Sequence, residues 1–204
     1  MLDVAVIDKP AAAGVTLDPI RVRLLAELHE PGSATTLAAR VGLSRQKVNY
    51  HLRALERHGL VSLVEERRKG NCTERVLQAT AAAYVISPAV LGAVAPDPGR
   101  VPDRLSARWL LALAAQLVCD VGALITGAAR AGRPLATFAL EGEVRFATAA
   151  DRAAFAEELA GTVAALLTRY HDETARGGRR HRLVVALHPS ITTRPRPEER
   201  RDGP

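Results

Sequence analysis

Apolar residues recur at steps of three and four positions through the first third of the chain, which predicts a series of short helices. The first helix starts at Asp18, a capping residue followed by proline, and ends before Pro31. A shorter helix is expected over residues 35–41. A third is expected from Arg45 to His58, where a glycine follows and stops it.

The third helix has two contrasting faces. Val48, Leu52 and Leu55 follow i, i+4, i+7 spacing and form its apolar stripe. The opposite face consists of hydrogen-bond donors with no carboxylate among them, namely Gln46, Asn49, Tyr50, Arg53 and Arg57. Asn and Gln can pair bidentately with adenine and Arg with guanine, so this face suits the major groove of DNA. A solvated helix face is the alternative interpretation.

A β-hairpin is expected after this helix. Residues 60–64 are rich in Val and Leu, and residues 73–80 form the return strand. The tip carries three adjacent cations and a Gly-Asn turn, namely Arg67, Arg68, Lys69, Gly70 and Asn71. Adjacent cations repel one another, so a neighbouring polyanion such as a DNA backbone would explain them. Solubilising charge on an exposed strand edge is the alternative.

Residues from about Asp18 to Pro88 resemble the winged helix-turn-helix of the arsenic-repressor (ArsR) type of bacterial transcription regulators. The matching stretches are residues 18–25, 37–44, 48–55 and 58–61. The resemblance implies a homodimer that binds a palindromic DNA operator, often with release by an inducer. Metal-sensing members carry a Cys-x-Cys pair in the short helix, or Asp/His clusters in a C-terminal helix. The short helix here holds no ligand, so neither metal sensing nor another cofactor is implied.

The contacts with DNA can be assigned by position. Gly42 suits the turn, because glycine adopts a positive φ without penalty. The residues expected to read bases are Gln46, Asn49, Tyr50 and Arg53. The residues expected to hold phosphates or the minor groove are Ser44, Arg45, Lys47, Arg57, Arg67, Arg68, Lys69 and Asn71. The two reading helices of a dimer should enter successive major grooves, about 34 Å apart.

A long apolar helix is expected in the second half of the chain, after a proline-rich linker at residues 96–102. Asp103 is expected to cap it, and it should reach about Ala131. Its stripe is too wide for one helix to bury alone, which favours a role in dimer formation or ligand binding. The residues assigned to that role are Leu105, Trp109, Leu113, Leu117, Val121 and Leu124. Core packing within one subunit is the alternative.

A strand-helix-strand pattern follows. Residues 135–147 alternate between apolar and polar side chains, a helix should start at Thr148 or Asp151, and residues 181–188 are expected to form a second strand. Two strands make an insufficient sheet, and a second subunit would complete it.

The predicted fold is mainly α with α+β elements: a winged helix-turn-helix, then a long helix and this unit. The expected divisions are an arm at 1–16, a DNA-binding domain at 17–95, the linker at 96–102, a C-terminal domain at 103–188 and a disordered basic tail at 189–204.

Composition agrees with a DNA-binding protein in the cytoplasm. The chain has 204 residues, 48% of them hydrophobic, and a formal net charge of +6. Residues 1–80 carry a net charge of +3 and residues 176–204 one of +5, whereas the middle is slightly acidic. Two widely separated cysteines imply no disulfide framework. No signal peptide is expected, and the apolar run around 109–118 falls short of the ~20 residues that a membrane span needs.

Catalytic and metal-binding patterns are not evident in the sequence. The six histidines match no known zinc spacing, and neither a phosphate loop nor a nucleophile elbow occurs. Glu141 and Glu143 face the same side of a predicted strand, and the wet face of a sheet explains them better than acid–base catalysis. We therefore expect no enzyme activity. An enzyme with a C-terminal active site and a protein–protein adaptor remain the alternatives to a DNA-binding regulator.

Overall fold

The computed structural model describes residues 1–69 and 72–190, except for the side chains of Lys69 and Cys72. The expected DNA contacts of Lys69 and Asn71, and residues 191–204 of the predicted tail, lie outside the described part. The chain divides into two compact units, Met1–Thr137 and Phe138–Pro204. The linker expected at 96–102 lies inside the first unit.

The elements of the first unit follow one another with short connections. In chain order they are β1 (Leu2–Ile7), α1 (Pro10–Thr16), α2 (Pro19–Glu27), β2 (Gly32–Ser33), α3 (Ala34–Val41), α4 (Arg45–Arg57), β3 (Val61–Lys69), β4 (Cys72–Ala79), β5 (Ala81–Ile86), 3-10 helices at Pro88–Val94 and Pro98–Arg100, and α5 (Ala107–Ala131). The second unit contains α6 (Ala149–Tyr170). The predicted combination of mainly helical structure with α+β elements is confirmed.

The helix ends follow the local signals in the sequence. Asp18 Oδ1 accepts a hydrogen bond from the Ile20 backbone N–H at 2.8 Å and caps α2. Gly42 ends α3 in the left-handed region at φ 70°, and Ser44 Oγ caps α4 by accepting from the Lys47 N–H at 3.3 Å. The helix-turn-helix is therefore set by contacts between residues close in sequence.

The core of the first unit lies between α2, α3, α4 and the hairpin. Its fully buried large side chains are Leu24, Leu28, Leu37, Leu55 and Val48. The predicted stripe on α4 is buried throughout, since Leu52 is only 2% exposed. Burial of a leucine side chain contributes about 2 kcal/mol, so this stripe holds α4 in one orientation.

The wing is a three-stranded antiparallel sheet in the order β2-β4-β3. β3 and β4 pair from Val61 opposite Ala79 to Lys69 opposite Cys72, with a register shift between Leu63 and Glu65. The two residues of β2 add the third strand, which the sequence pattern does not predict because that segment reads as a helix end.

The N-terminal arm is structured. It contains β1, which pairs in parallel with β5, Ile7 lying opposite Ile86. The arm also contains α1, a helix that was not predicted although Pro10 occupies its first position. A partner strand about 80 residues away decides that β1 forms, and local pattern does not reveal such a partner.

Helix α5 differs from its prediction in two ways. Ser106 caps it, not Asp103, and its Oγ accepts from the Trp109 N–H at 3.2 Å. Leu105 therefore precedes the helix and is 98% exposed. The side of α5 that packs inward carries small residues, since Ala112, Ala115 and Gly122 are its buried positions. A Cβ on Gly122 would lie 2.8 Å from Val6 Cγ1, so glycine permits the close approach of α5 to β1.

Helix α5 also meets the length and composition of a membrane span, contrary to the expectation from its short apolar run. Its most apolar 18-residue window has a mean hydropathy of 1.8, and 11% of that window is buried. Its polar residues Gln116 and Asp120 hydrogen-bond to each other at 2.7 Å within the helix. Core helices of soluble proteins pass the same test, so this property alone is weak evidence for a span.

In the second unit, α6 forms as predicted. Thr148 caps it in a reciprocal capping box with Asp151, and Phe155 contacts Phe146 with ring centroids 5.3 Å apart. The flanking segments 135–147 and 181–188, predicted as strands, have no strand hydrogen bonding in the single chain. None of the described residues from 138 to 190 is buried. Two isolated segments with so little packing cannot stabilise a sheet by themselves.

Candidate nucleic-acid interface

The outward face of α4 forms the site. An open concavity of about 570 Å³ runs along it, lined by Arg45, Gln46, Asn49, Tyr50 and Arg53. Tyr50 is 66% exposed although it is a large aromatic residue. All four predicted base-reading residues therefore share one surface. They point outward because the apolar stripe on the other side of α4 is buried in the core.

The N-terminal end of α4 is suited to phosphate. The helix has no acidic residue in its first turn, whereas Arg45 and Lys47 lie there and are exposed. Unpaired backbone N–H groups give a helix N-terminus a partial positive charge, which these cations increase. An anion bound at this end would offset the positive charge that accumulates there, and a DNA phosphate is one such anion. Arg57, also exposed, lies at the opposite end of the helix.

The wing carries acidic residues beside its cations. Arg67 Nη2 lies 2.8 Å from Glu65 Oε2, two residues before it on β3. This hydrogen bond lowers the pKa of Glu65 and raises that of Arg67, so both groups stay charged and offset one another. Arg68 is exposed and lies opposite Thr73 in the hairpin. Of the described wing cations, Arg68 is therefore better placed than Arg67 to offer its full charge to DNA.

One contact of the site was not predicted. Arg75 on β4 donates two hydrogen bonds to Glu56 on α4, from Nη1 to Oε2 at 3.0 Å and from Nη2 to Oε1 at 2.7 Å. Its Nε also lies 3.7 Å from Glu66 Oε1 on β3. The wing and the reading helix are thus joined by an ion pair. The residues are 19 apart in sequence, and only their opposite charges hinted at the pairing.

His51 belongs to the support of α4. It is buried, and its Nδ1 lies 3.8 Å from Asp18 Oδ2, beyond hydrogen-bond distance. Burial lowers the pKa of His51, and Arg21 and Lys47 add to that effect, while Asp18 opposes it. Among the described residues, no group of three His, Cys, Asp or Glu side chains could hold a metal ion. Burial thus favours the neutral form of the His51 ring, which packs beneath α4.

The residues assigned to dimer or ligand contacts lie at different depths. Leu117 and Leu124 are exposed on α5, like Leu105 before it, whereas Trp109, Leu113 and Val121 are half-buried. Their assignment remains a prediction.

Comparison with known protein families identifies the helix-turn-helix segment. A family model described as a helix-turn-helix domain matches residues 16–64, the segment from the end of α1 into β3. The comparison with curated proteins found no match to the chain. The matched segment and the hairpin after it form a winged helix-turn-helix, a domain of DNA-binding transcription regulators.

Proposed function

We propose that the protein is a cytoplasmic, homodimeric regulator of the ArsR type that binds a palindromic operator and represses transcription. The observation that carries the proposal is the outward face of α4. It combines amide, phenol and guanidinium groups above a fully buried stripe. Such a face can approach the edges of base pairs, because its donors match acceptors in the major groove. No catalytic reaction is assigned to the protein.

Selection from a pool of random DNA sequences tests this function. The full chain should enrich one sequence with two-fold symmetry, and half-sites should lie one helical turn apart. Binding should weaken steeply with added salt, since displaced counterions dominate the affinity. The Asn49→Ala variant is the matched control, because it should lose the enrichment while keeping its fold. If no sequence is enriched by the full chain, an adaptor for another protein becomes the better explanation.

The apolar surface of α5 supports the homodimer. Residues at alternating three- and four-residue steps form a stripe beside its packed face, namely Leu111, Ala114, Val118, Val121, Ile125 and Ala128. Leu111 is 65% exposed, and the others are partly or largely exposed in the single chain. This spacing is that of a coiled-coil seam, whose natural partner is the same helix of a second copy. None of these six residues is charged, so contact with a second apolar helix is more favourable for them than contact with water.

Sedimentation equilibrium tests the dimer. The wild-type chain should sediment as a dimer, and Leu111→Glu should shift it toward the monomer, because paired carboxylates would meet across the seam. Ala123→Glu adds the same charge to α5 away from the stripe and should leave the dimer intact. Equal effects of the two substitutions would refute the seam.

A small apolar effector would act on the same dimer by changing the spacing of the reading helices, and a ligand-induced rise in Tm would reveal it.

A further inference from the structure

Glu56 occupies an unexpected place for a carboxylate. It follows Arg53 by three residues and Asn49 by seven, so it continues the reading side of α4 toward the C-terminal end. The hydrogen bond from Arg75 is the main cause of the lowered pKa of Glu56, and the charge of Arg53 adds to it, which agrees with Arg53 and Glu56 being neighbours. A bare carboxylate at this position would meet the phosphates of bound DNA and repel them.

Arg75 occupies both oxygens of that carboxylate. The two parallel hydrogen bonds of 3.0 and 2.7 Å are the bidentate geometry in which a guanidinium binds a carboxylate best. Lysine could not reproduce it, because an ammonium group lacks the planar pair of donors. The contact keeps the Glu56 carboxylate ionised and places the positive charge of the Arg75 guanidinium directly beside it.

Arg75 is itself held by the wing. It lies directly opposite Glu66 in the pairing of β3 with β4, and its Nε is 3.7 Å from the Glu66 carboxylate. The guanidinium is thus fixed on one side by its own hairpin and on the other by α4. An exposed ion pair adds little to stability, typically under about 1 kcal/mol. Its contribution should therefore appear in DNA binding more than in folding.

We propose that Arg75 is a positioning residue for DNA recognition, which masks the charge of Glu56 at the end of the reading helix. The proposal rests on the DNA-binding function proposed above. It gives Arg75 a role that differs from that of Arg68, since Arg75 acts on the DNA through Glu56 and not by direct contact.

Variants that remove the charge of Arg75, of Glu56 or of both distinguish masking of Glu56 from direct contact with DNA. Operator affinity would be measured for Arg75→Gln, Glu56→Gln and the double variant. We expect Arg75→Gln to weaken binding about tenfold, because Glu56 then faces the phosphates unmasked. Removing that carboxylate as well should restore most of the affinity, and Arg75→Lys should restore only part. Arg40→Gln is the matched control, since it breaks an exposed ion pair with Glu27 between α2 and α3.

Each result of these measurements supports or refutes the masking role of Arg75. Loss in Arg75→Gln that persists in the double variant would mean that Arg75 acts by contacting DNA or by holding the wing, and either result overturns the masking role. No loss in Arg75→Gln would overturn it too. Thermal unfolding of every variant should stay close to the wild type, so a lost affinity reports on DNA contact and not on folding. A wild-type chain that binds no DNA would refute the proposed function, a result separate from both outcomes above.

Discussion

Helices α4 and α5 divide their surfaces in opposite ways. Helix α4 buries its large aliphatic residues and exposes amides, a phenol and guanidinium groups. Helix α5 buries alanines and a glycine and exposes leucines. The polar donors exposed on α4 need no protein partner and can meet a polar ligand, whereas the leucines exposed on α5 favour contact with another apolar surface. The contrast separates the proposed nucleic-acid face from the proposed dimer face within one unit.

The largest effect should come from the buried side of α4. Leu55→Ala should lower the free energy of unfolding by about 2–5 kcal/mol, because Leu55 is fully buried and a cavity remains. Leu17→Ala is the control and should change it by less than about 0.5 kcal/mol, since that side chain is largely exposed. Urea unfolding followed by circular dichroism measures both. Similar losses would mean that the exposed leucine is covered in solution.

The inward side of α5 should tolerate no larger residue at its closest contact. Gly122→Ala should destabilise the first unit by about 1–3 kcal/mol, because the new Cβ would lie 2.8 Å from Val6 Cγ1. Gly127→Ala is the control on the same helix, where nothing lies within 4 Å, and it should stabilise by up to about 1 kcal/mol. Combining Gly122→Ala with Val6→Ala should recover part of the loss. If it recovers none, the close contact between α5 and β1 is not the cause.

The outward side of α4 should affect binding and leave folding unchanged. Arg53→Ala should cost about 1–3 kcal/mol on the preferred operator and much less on random DNA. Lys47→Ala, at the N-terminal end, should weaken both equally and reduce the salt dependence. Fluorescence anisotropy at several salt concentrations measures these differences. An equal loss on both DNAs for Arg53→Ala would show that Arg53 does not read sequence.

The sequence predicted those parts of the molecule that depend on near neighbours. The Asp18 cap and the Gly42 turn each use contacts within a few residues, and both were identified. The reading face followed from the apolar stripe opposite it, because a helix that buries one side must expose the other.

The parts that were missed depend on distant partners. The pairing of β1 with β5 joins residues about 80 apart, and the contact of Arg75 with Glu56 needs the wing folded against α4. For α5 the pattern located the leucines, but its packing against β1 and the 3-10 helices, which are distant in sequence or irregular, determines that the side with small residues faces inward. Sequence periodicity identifies a helix with two different sides without revealing which side meets its own chain.

The smallest effect should be a pH dependence that arises beneath α4. Burial lowers the pKa of His51 below its ordinary value near 6.5, with Arg21 and Lys47 adding to the shift and Asp18 opposing it. The folded state therefore resists protonation that the unfolded state accepts. The associated stability is complete above pH 6.5 and is lost as the pH falls through the folded-state pKa.

Comparing the wild type with His51→Gln measures this effect, because the other titrating groups are shared by both. The difference between their unfolding free energies should shrink as the pH is lowered from 8 to 5. A difference that stays constant over that range would show that His51 does not titrate in the folded core. A difference that grows on acidification would mean that the Asp18 carboxylate, whose Oδ2 lies 3.8 Å from Nδ1, outweighs burial and stabilises the charged ring.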